Sequence, residues 1–276
     1  MSKLIMVFGA TGNQGGSVIQ AILADPVLSK EYKVRGIMRN ITKESAKKLA
    51  SQGVEMVSLP HILITNFWET TNKDIEISEG KAVTDICKEA GVRHLIFSSL
   101  RGLTELTGGR LSNVAYFDSK AEIENYIRDS GVPATFVLAG FFMTNFLGAL
   151  KQKGDAKVPV QDVNEDTGKF VKAVIKQFPA TVGKRVLVAE GYYTPNQIVA
   201  EIAKTVGIKT AAVKIPQESF TSFLAPELTQ GTVENLLVLE AEGYYGVESL
   251  EPSLALLEER PVSWKEFVQR NATLFV

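Results

Sequence analysis

The chain predicts an α/β protein: a Rossmann-type doubly wound parallel sheet that carries a smaller, mostly C-terminal α/β lobe. Three observations predict it. A short apolar run, Leu4 to Phe8, leads straight into the glycine-rich turn Gly9-Ala10-Thr11-Gly12-Asn13-Gln14-Gly15. Strand-like and helix-like patterns then alternate as far as Ala139, the rhythm of βαβ units. Beyond Gly140 that rhythm loosens.

Each element has its own reason. Leu4 to Phe8 is apolar without alternation, as a strand buried on both faces is. From Asn13, residues Gly15, Val18, Ile19, Ile22 and Leu23 recur at helical spacing, and Asp25-Pro26 stops the helix. Lys33–Arg39 reads as the second strand. Lys43–Ser51 reads as a helix, with Gly53 after it. Val54–Ser58 and His61–Thr65 both look like strands. Glu79–Ala90 is a helix ended by Gly91, and His94–Ser98 a strand. Tyr116–Ser130 is a helix ended by Gly131, and Ala134–Ala139 a strand. In the second region Thr167–Gln177 is a helix, Arg185–Ala189 a strand and Pro195–Val206 a helix closed by Gly207. Val213–Ile215 is a short strand, and Trp264–Asn271 is the last helix. The division expected is a dinucleotide-binding domain over 1–150, to which 181–208 returns, and a substrate or partner lobe over 151–276.

One connection is physically awkward. Val54–Ser58 and His61–Thr65 are separated only by Leu59-Pro60. In a dinucleotide fold, strands three and four lie on opposite sides of strand one. Parallel strands need a crossover of about a dozen residues. The chain therefore predicts a missing or altered element at this point.

Bulk composition removes several functions. The 276 residues are 45% hydrophobic and 22% charged, with formal net charge -1 and no block of like charge. Direct nucleic-acid binding is not expected from that balance. The lone cysteine, Cys87, excludes an internal disulfide. With only two histidines, His61 and His94, no metal site is expected. No apolar run reaches about 18 residues, so no membrane span is expected. The start carries no signal-peptide pattern. A cytoplasmic location, or a nuclear one, fits these features.

The glycine turn holds Gly9, Gly12 and Gly15 in a G-x-x-G-x-x-G pattern, directly after a strand and at the start of a helix. That context suits a dinucleotide pyrophosphate, bound by backbone and by the helix's positive end. Gly9, Thr11, Gly12, Asn13, Gln14 and Gly15 are the candidate contacts. The other reading is a glycine turn used for close packing. At the end of the second strand stands Arg39, where an acidic residue would hold the ribose of NAD. An arginine there suits the 2′-phosphate of NADP.

Tyr116 and Lys120 are one helical turn apart, on one face. A lysine beside a tyrosine favours the phenolate and so promotes proton transfer. Equally, the tyrosine could pack and the lysine be solvated.

Several stretches together resemble the NmrA-like family, an atypical branch of the short-chain dehydrogenases/reductases. They are GATGNQGGSV at 9–18, TNFWE at 65–69, GKAVTDICKEAGVRHLIFSSL at 80–100, YFDSKAEIE at 116–124, GFFMTNFL at 140–147, DTGKFV at 166–171 and SWKEFVQRN at 263–271. The resemblance implies a Rossmann fold that prefers NADP(H). Family members include reductases and also sensors of the nicotinamide pool that bind a protein partner. In the superfamily mechanism Tyr116 would be the proton donor, and Lys120 would hold the nicotinamide ribose and tune the tyrosine. The orienting hydroxyl falls near Ser99, with Ser112 as a second choice. Thr65, Asn66 and Phe67 would contact the cofactor. Phe141 would line the nicotinamide pocket or serve as a core aromatic.

The chain departs from the family pattern at three places. The helix and acidic stretch usual after Val54–Ser58 are absent. The segment between Leu150 and Lys157 is short. Tyr116 itself stands where many members have another residue. Two functions follow: an NADPH-dependent reductase of a carbonyl or activated double bond, acting on a small-molecule substrate, or a non-catalytic redox sensor that binds a regulatory protein such as a transcription factor.

Overall fold

The computed structural model describes residues 2–58, 67, 71–147, 157–212, 216–222, 226–240, 243–246 and 248–275. The strands expected over His61–Thr65 and Val213–Ile215, and the Leu59-Pro60 connection, lie outside them.

The strands run parallel, as the sequence predicts, but in two ladders. β1 (Lys3–Phe8), β2 (Tyr32–Met38) and β3 (Glu55–Ser58) pair in the order β1-β2-β3. β4 (Leu95–Ser99), β5 (Ala134–Ala139) and β8 (Arg185–Val188) pair in the order β4-β5-β8. Among the described residues no ladder joins β1 to β4. β6 (Phe141–Phe142), β7 (Val158–Gln161) and β9 (Gly191–Tyr193) form a small mixed sheet, with β7 and β9 antiparallel.

The helices that flank these sheets are α1 (Asn13–Ala24), α3 (Glu44–Ser51), α4 (Lys73–Glu89), α6 (Ala115–Ser130), α7 (Asp166–Lys176), α8 (Pro195–Val206), α10 (Pro226–Glu240) and α12 (Trp264–Arg270). Short helical turns intervene: α2 (Leu28–Glu31), α5 (Leu103–Leu106), α9 (Gln217–Thr221) and α11 (Glu251–Leu254). α4 begins six residues before the expected Glu79. The cause is a cap the apolar pattern does not show: the Asn72 side chain accepts from the amides of Asp74 and Ile75. α6 ends at Gly131, which takes a left-handed φ of 77°.

α7 packs on α1, and Gly168 explains how. A Cβ on Gly168 would lie 2.2 Å from the Ser17 carbonyl oxygen, and its N–H donates to Ser17 Oγ at 2.8 Å. At the far end of α1, Asp25 pairs with Lys176 at 2.6 Å. These two contacts tie the glycine-turn helix to a segment about 150 residues later.

β1 departs from the expectation of burial on both faces. Val7 is buried with Ile19 and Ile22 of α1. On the opposite face Leu4, Met6 and Phe8 are 47%, 49% and 38% exposed. A doubly wound sheet covers both faces with helices, and in this chain one face of its first strand is open.

Candidate functional site

The first half of the site is the glycine turn. Gly9 has φ of 64°, a conformation that β-carbons disfavour. A Cβ on Gly15 would lie 2.3 Å from the Gly9 carbonyl oxygen. The turn is drawn in tightly, with the Gly12 N–H donating to the Gly9 carbonyl at 2.8 Å. α1 opens with Gly12 as its N-cap, with no side-chain cap and no acidic residue in its first turn. Its leading amides are therefore left to other acceptors, and the dipole favours an anion there. The carboxyl end of β4 reaches this turn, where Ser98 Oγ donates to Gln14 Oε1 at 3.3 Å. Arg39 follows β2 at the same sheet edge and is exposed, with Ser58 Oγ donating to its carbonyl.

The second half is built on α6. The tyrosine and lysine do share a face of that helix, but each is engaged elsewhere. Lys120 Nζ donates to Glu76 Oε1 of α4 at 2.5 Å. The second oxygen of Glu76 accepts from Ser119 Oγ. Glu76 is 1% exposed, so a buried carboxylate neutralises the lysine. α4 and α6 come close enough for this because Gly80 leaves room: a Cβ there would lie 2.6 Å from Ile123.

Tyr116 is partly buried. Its ring lies 5.7 Å from Phe67 and 5.1 Å from Phe117. Burial pushes its pKa above the ordinary tyrosine value, and a hydrogen bond with Asn235 of α10 offsets only part of that. The expected depression of its pKa by Lys120 is not found, because the ammonium is turned to Glu76. Tyr116 is thus a protonated phenol across the neutral range.

The remaining candidates fall as follows. Ser99 is fully buried and donates to Glu124 Oε2 at 2.6 Å. That carboxylate also holds Arg128 and Arg185, at 2.8 Å and 2.7 Å. The geometry speaks against Ser99 as the orienting hydroxyl: it is bound to buried Glu124, two helical turns beyond Tyr116, in a cluster with two partly exposed arginines. Ser112 is exposed. Phe141 is 7% exposed and packs on Phe146 at 5.3 Å, a core aromatic. Phe67 is brought to Tyr116. Thr65 and Asn66 lie outside the described residues. No metal-binding group of side chains occurs among the described residues, and no helix there is long and apolar enough to cross a membrane.

Sequence reasoning missed Glu76 and Asn235. Both left a trace. Glu76 shares a helical face with Gly80 and Thr84, all buried, where a solvated face would carry charge. Asn235 follows Glu234 in the otherwise apolar run Leu236-Leu237-Val238-Leu239.

The model of the NmrA-like family matches residues 1–268. The NmrA-like family domain-containing oxidoreductase lnaB of Aspergillus flavus is 31% identical over 252 residues, 75% of this chain and 74% of that protein. An NmrA-like family domain-containing protein of Dictyostelium discoideum is 29% identical over 249 residues, 76% of this chain and 80% of that one. Both alignments are longer than the part of this chain they take in, so the relatives carry internal residues that have no counterpart here. Leu59-Pro60 and most of Leu150–Lys157, where the sequence calls for such a deficit, lie outside the described residues. Among solved structures, NmrA, a negative transcriptional regulator, in complex with NADP has a TM-score of 0.75 at 20% identity, covering 99% of this chain and 96% of its own. The Citrobacter sp. triphenylmethane reductase complexed with NADP(H) also scores 0.75 at 20% identity, covering 97% and 99%. At that identity the two likenesses show the fold.

Proposed function

This chain belongs to the NmrA-like family, and from that premise we propose that it binds NADP(H) and reduces a carbonyl or similarly activated double bond. The observation that carries the reading is the glycine turn. Its interior is closed to any Cβ at Gly15, and it delivers the uncapped amides of α1 to one edge of the sheet. The residues present fit a dinucleotide. Gly12, Asn13, Gln14 and the helix N-terminus hold its pyrophosphate, Thr11 and Gly9 shape the turn, and Arg39 pairs with the 2′-phosphate. Two solved neighbours hold NADP or NADP(H), and lnaB is named an oxidoreductase.

When bound, NADPH supplies the hydride. The chain's part is the proton. Tyr116 donates it from its hydroxyl to the reduced group and regains one from solvent. Phe67 and Phe117 flank the ring and limit water. Lys120 holds its position through Glu76 and contributes charge balance rather than activation.

That last point favours a second reading. With Lys120 neutralised and Ser99 committed to Glu124, the site could serve to report nicotinamide state to a protein partner. NmrA is described as a negative transcriptional regulator. Such a regulator needs different partner affinities with and without cofactor.

The test follows NADPH absorbance against aldehydes, ketones, quinones and enones, after NADPH binding is measured by titration. Turnover by the wild type, lost in Tyr116→Phe with NADPH affinity retained, is the expected result. Binding without turnover across the panel moves the regulator ahead. Arg39→Glu is expected to weaken NADPH about 10- to 100-fold and leave NADH little changed. Equal loss of both would sink the 2′-phosphate assignment.

A further inference from the structure

We infer that the cleft between the end of α6 and the start of β8 is an anion site that takes the phosphate group of a small phosphomonoester. This site stands apart from the reductase chemistry.

The cleft has a volume of about 510 Å³ and is lined by Arg128, Gly183, Lys184, Arg185 and Glu248. Small-molecule sites commonly span about 300–1,000 Å³. Two placements separate it from the cofactor turn. Arg128 lies about 18 Å along α6 from Tyr116, at the helical rise per residue. Arg185 opens β8 and pairs with Phe136, so the basic wall lies toward the amino end of the β4-β5-β8 ladder. Dinucleotides bind at the carboxyl ends of such strands.

Glu124 makes this wall more than scattered surface charge. It is fully buried. Its Oε1 accepts from Nε and Nη2 of Arg128 at 3.0 Å and 2.8 Å, and from Nε of Arg185 at 2.7 Å. Its Oε2 accepts from Ser99 Oγ at 2.6 Å. Arg128 is fixed further: Nη1 donates to the Gly183 carbonyl at 2.9 Å, and the guanidinium lies 4.1 Å from the centre of the Phe136 ring. One buried carboxylate thus orients two guanidiniums, which lose little further freedom on meeting a ligand. Arg185 uses only Nε for this purpose. Its two terminal nitrogens have no acceptor among the described residues, and neither does Lys184 Nζ.

Charge and geometry choose the ligand. Glu124 neutralises one guanidinium, so the other and Lys184 leave two positive charges on the wall. Glu248 is matched by Arg101 at 2.6 Å. A phosphomonoester carries close to two negative charges at neutral pH, where a simple carboxylate carries one. The Arg185 fork suits two oxygens of one phosphate. The rest of the cleft leaves room for a small carbon body.

The experiment titrates the full chain calorimetrically with glycerol 3-phosphate and with inorganic phosphate, at fixed ionic strength, with Tm recorded for every variant. Glycerol 3-phosphate is expected to bind the wild type more tightly than inorganic phosphate. Arg185→Gln weakens it about tenfold or more, as loss of a charge-assisted donor does. Lys184 is exposed, so Lys184→Gln keeps Tm and weakens binding about fivefold. Arg39→Glu, at the glycine turn, leaves the affinity unchanged. Absence of binding by the wild type overturns the inference, as does unchanged affinity in Lys184→Gln. A loss in Arg39→Glu equal to that in Arg185→Gln also overturns it, because the phosphate then sits at the dinucleotide turn. Inorganic phosphate binding as tightly as the ester assigns the site to the free anion instead. A phosphoserine peptide that binds more tightly than glycerol 3-phosphate replaces the small molecule with a protein partner.

Discussion

The glycine turn and the tyrosine-lysine helix are both short motifs, yet one behaves as its sequence suggests and the other does not. At the turn the contacts that set its shape lie within the motif: Gly9, Gly12 and Gly15 meet each other's backbone. On α6 the motif residues meet partners that lie far away in the chain, Glu76 for Lys120 and Asn235 for Tyr116. A motif closed on itself carries its geometry with it. A motif whose side chains project outward takes its chemistry from whatever packs against it.

Several substitutions would break or sharpen that comparison. The largest effect is expected at Glu76. Glu76→Ala leaves the Lys120 charge partly buried without its partner, at a cost of about 3–5 kcal/mol in urea unfolding. Replacing both, as Glu76→Gln with Lys120→Met, should recover most of that. Additive losses would mean that the pair is not the unit drawn above. Next comes Gly15→Ala. Its Cβ meets backbone rather than a flexible side chain, so a cost of about 1–3 kcal/mol is expected. NADPH affinity should fall by about tenfold or more. An alanine variant that bound NADPH normally would show that the turn adapts and is not a self-contained cradle.

Asp25 tests how the glycine-turn helix is tied down. Burial opposes its ionisation, but Lys176 and the amides of Leu28 and Val27 outweigh that and lower its pKa from 3.8 to about 2. A depressed carboxylate stabilises the fold above the unfolded value and loses that contribution as pH falls through the folded one. Asp25→Ala should therefore cost about 1–2 kcal/mol at pH 7. It should also weaken the stability loss of the wild type between pH 4 and pH 2. Identical acid profiles for the two proteins would rule out Asp25 as the titrating group.

The smallest contrast lies within β1. Val7→Ala, on the face packed against α1, is expected to cost about 1–3 kcal/mol. Leu4→Ala, on the open face, should stay within about 0.5 kcal/mol. Equal costs would mean that Leu4 is covered in solution.

The awkward step at Leu59-Pro60 belongs to the same account. Loop arithmetic says that two residues cannot carry a chain from one side of strand one to the other. Leu59-Pro60 and the strand expected after it lie outside the described residues.

What could be read from residues alone was therefore whatever depends on neighbours in sequence. Strand and helix periods, the left-handed glycines, the Gly131 stop and the Pro195–Val206 helix all follow from local sterics and backbone hydrogen bonds. So does the fold class, because alternating periods admit few parallel topologies. Helix starts set by a side-chain cap, such as Asn72 for α4, were legible in principle and hidden by the apolar pattern. The working state of the Tyr116 and Lys120 pair was not legible. Proton affinity depends on burial and on charges within a few ångströms, and those came from α4 and α10, about 40 and 120 residues away in the chain. The reassignments of Ser99 to an ion cluster and Phe141 to the core have the same origin. Sequence spacing gives a residue its place on an element, and packing gives that residue its partners.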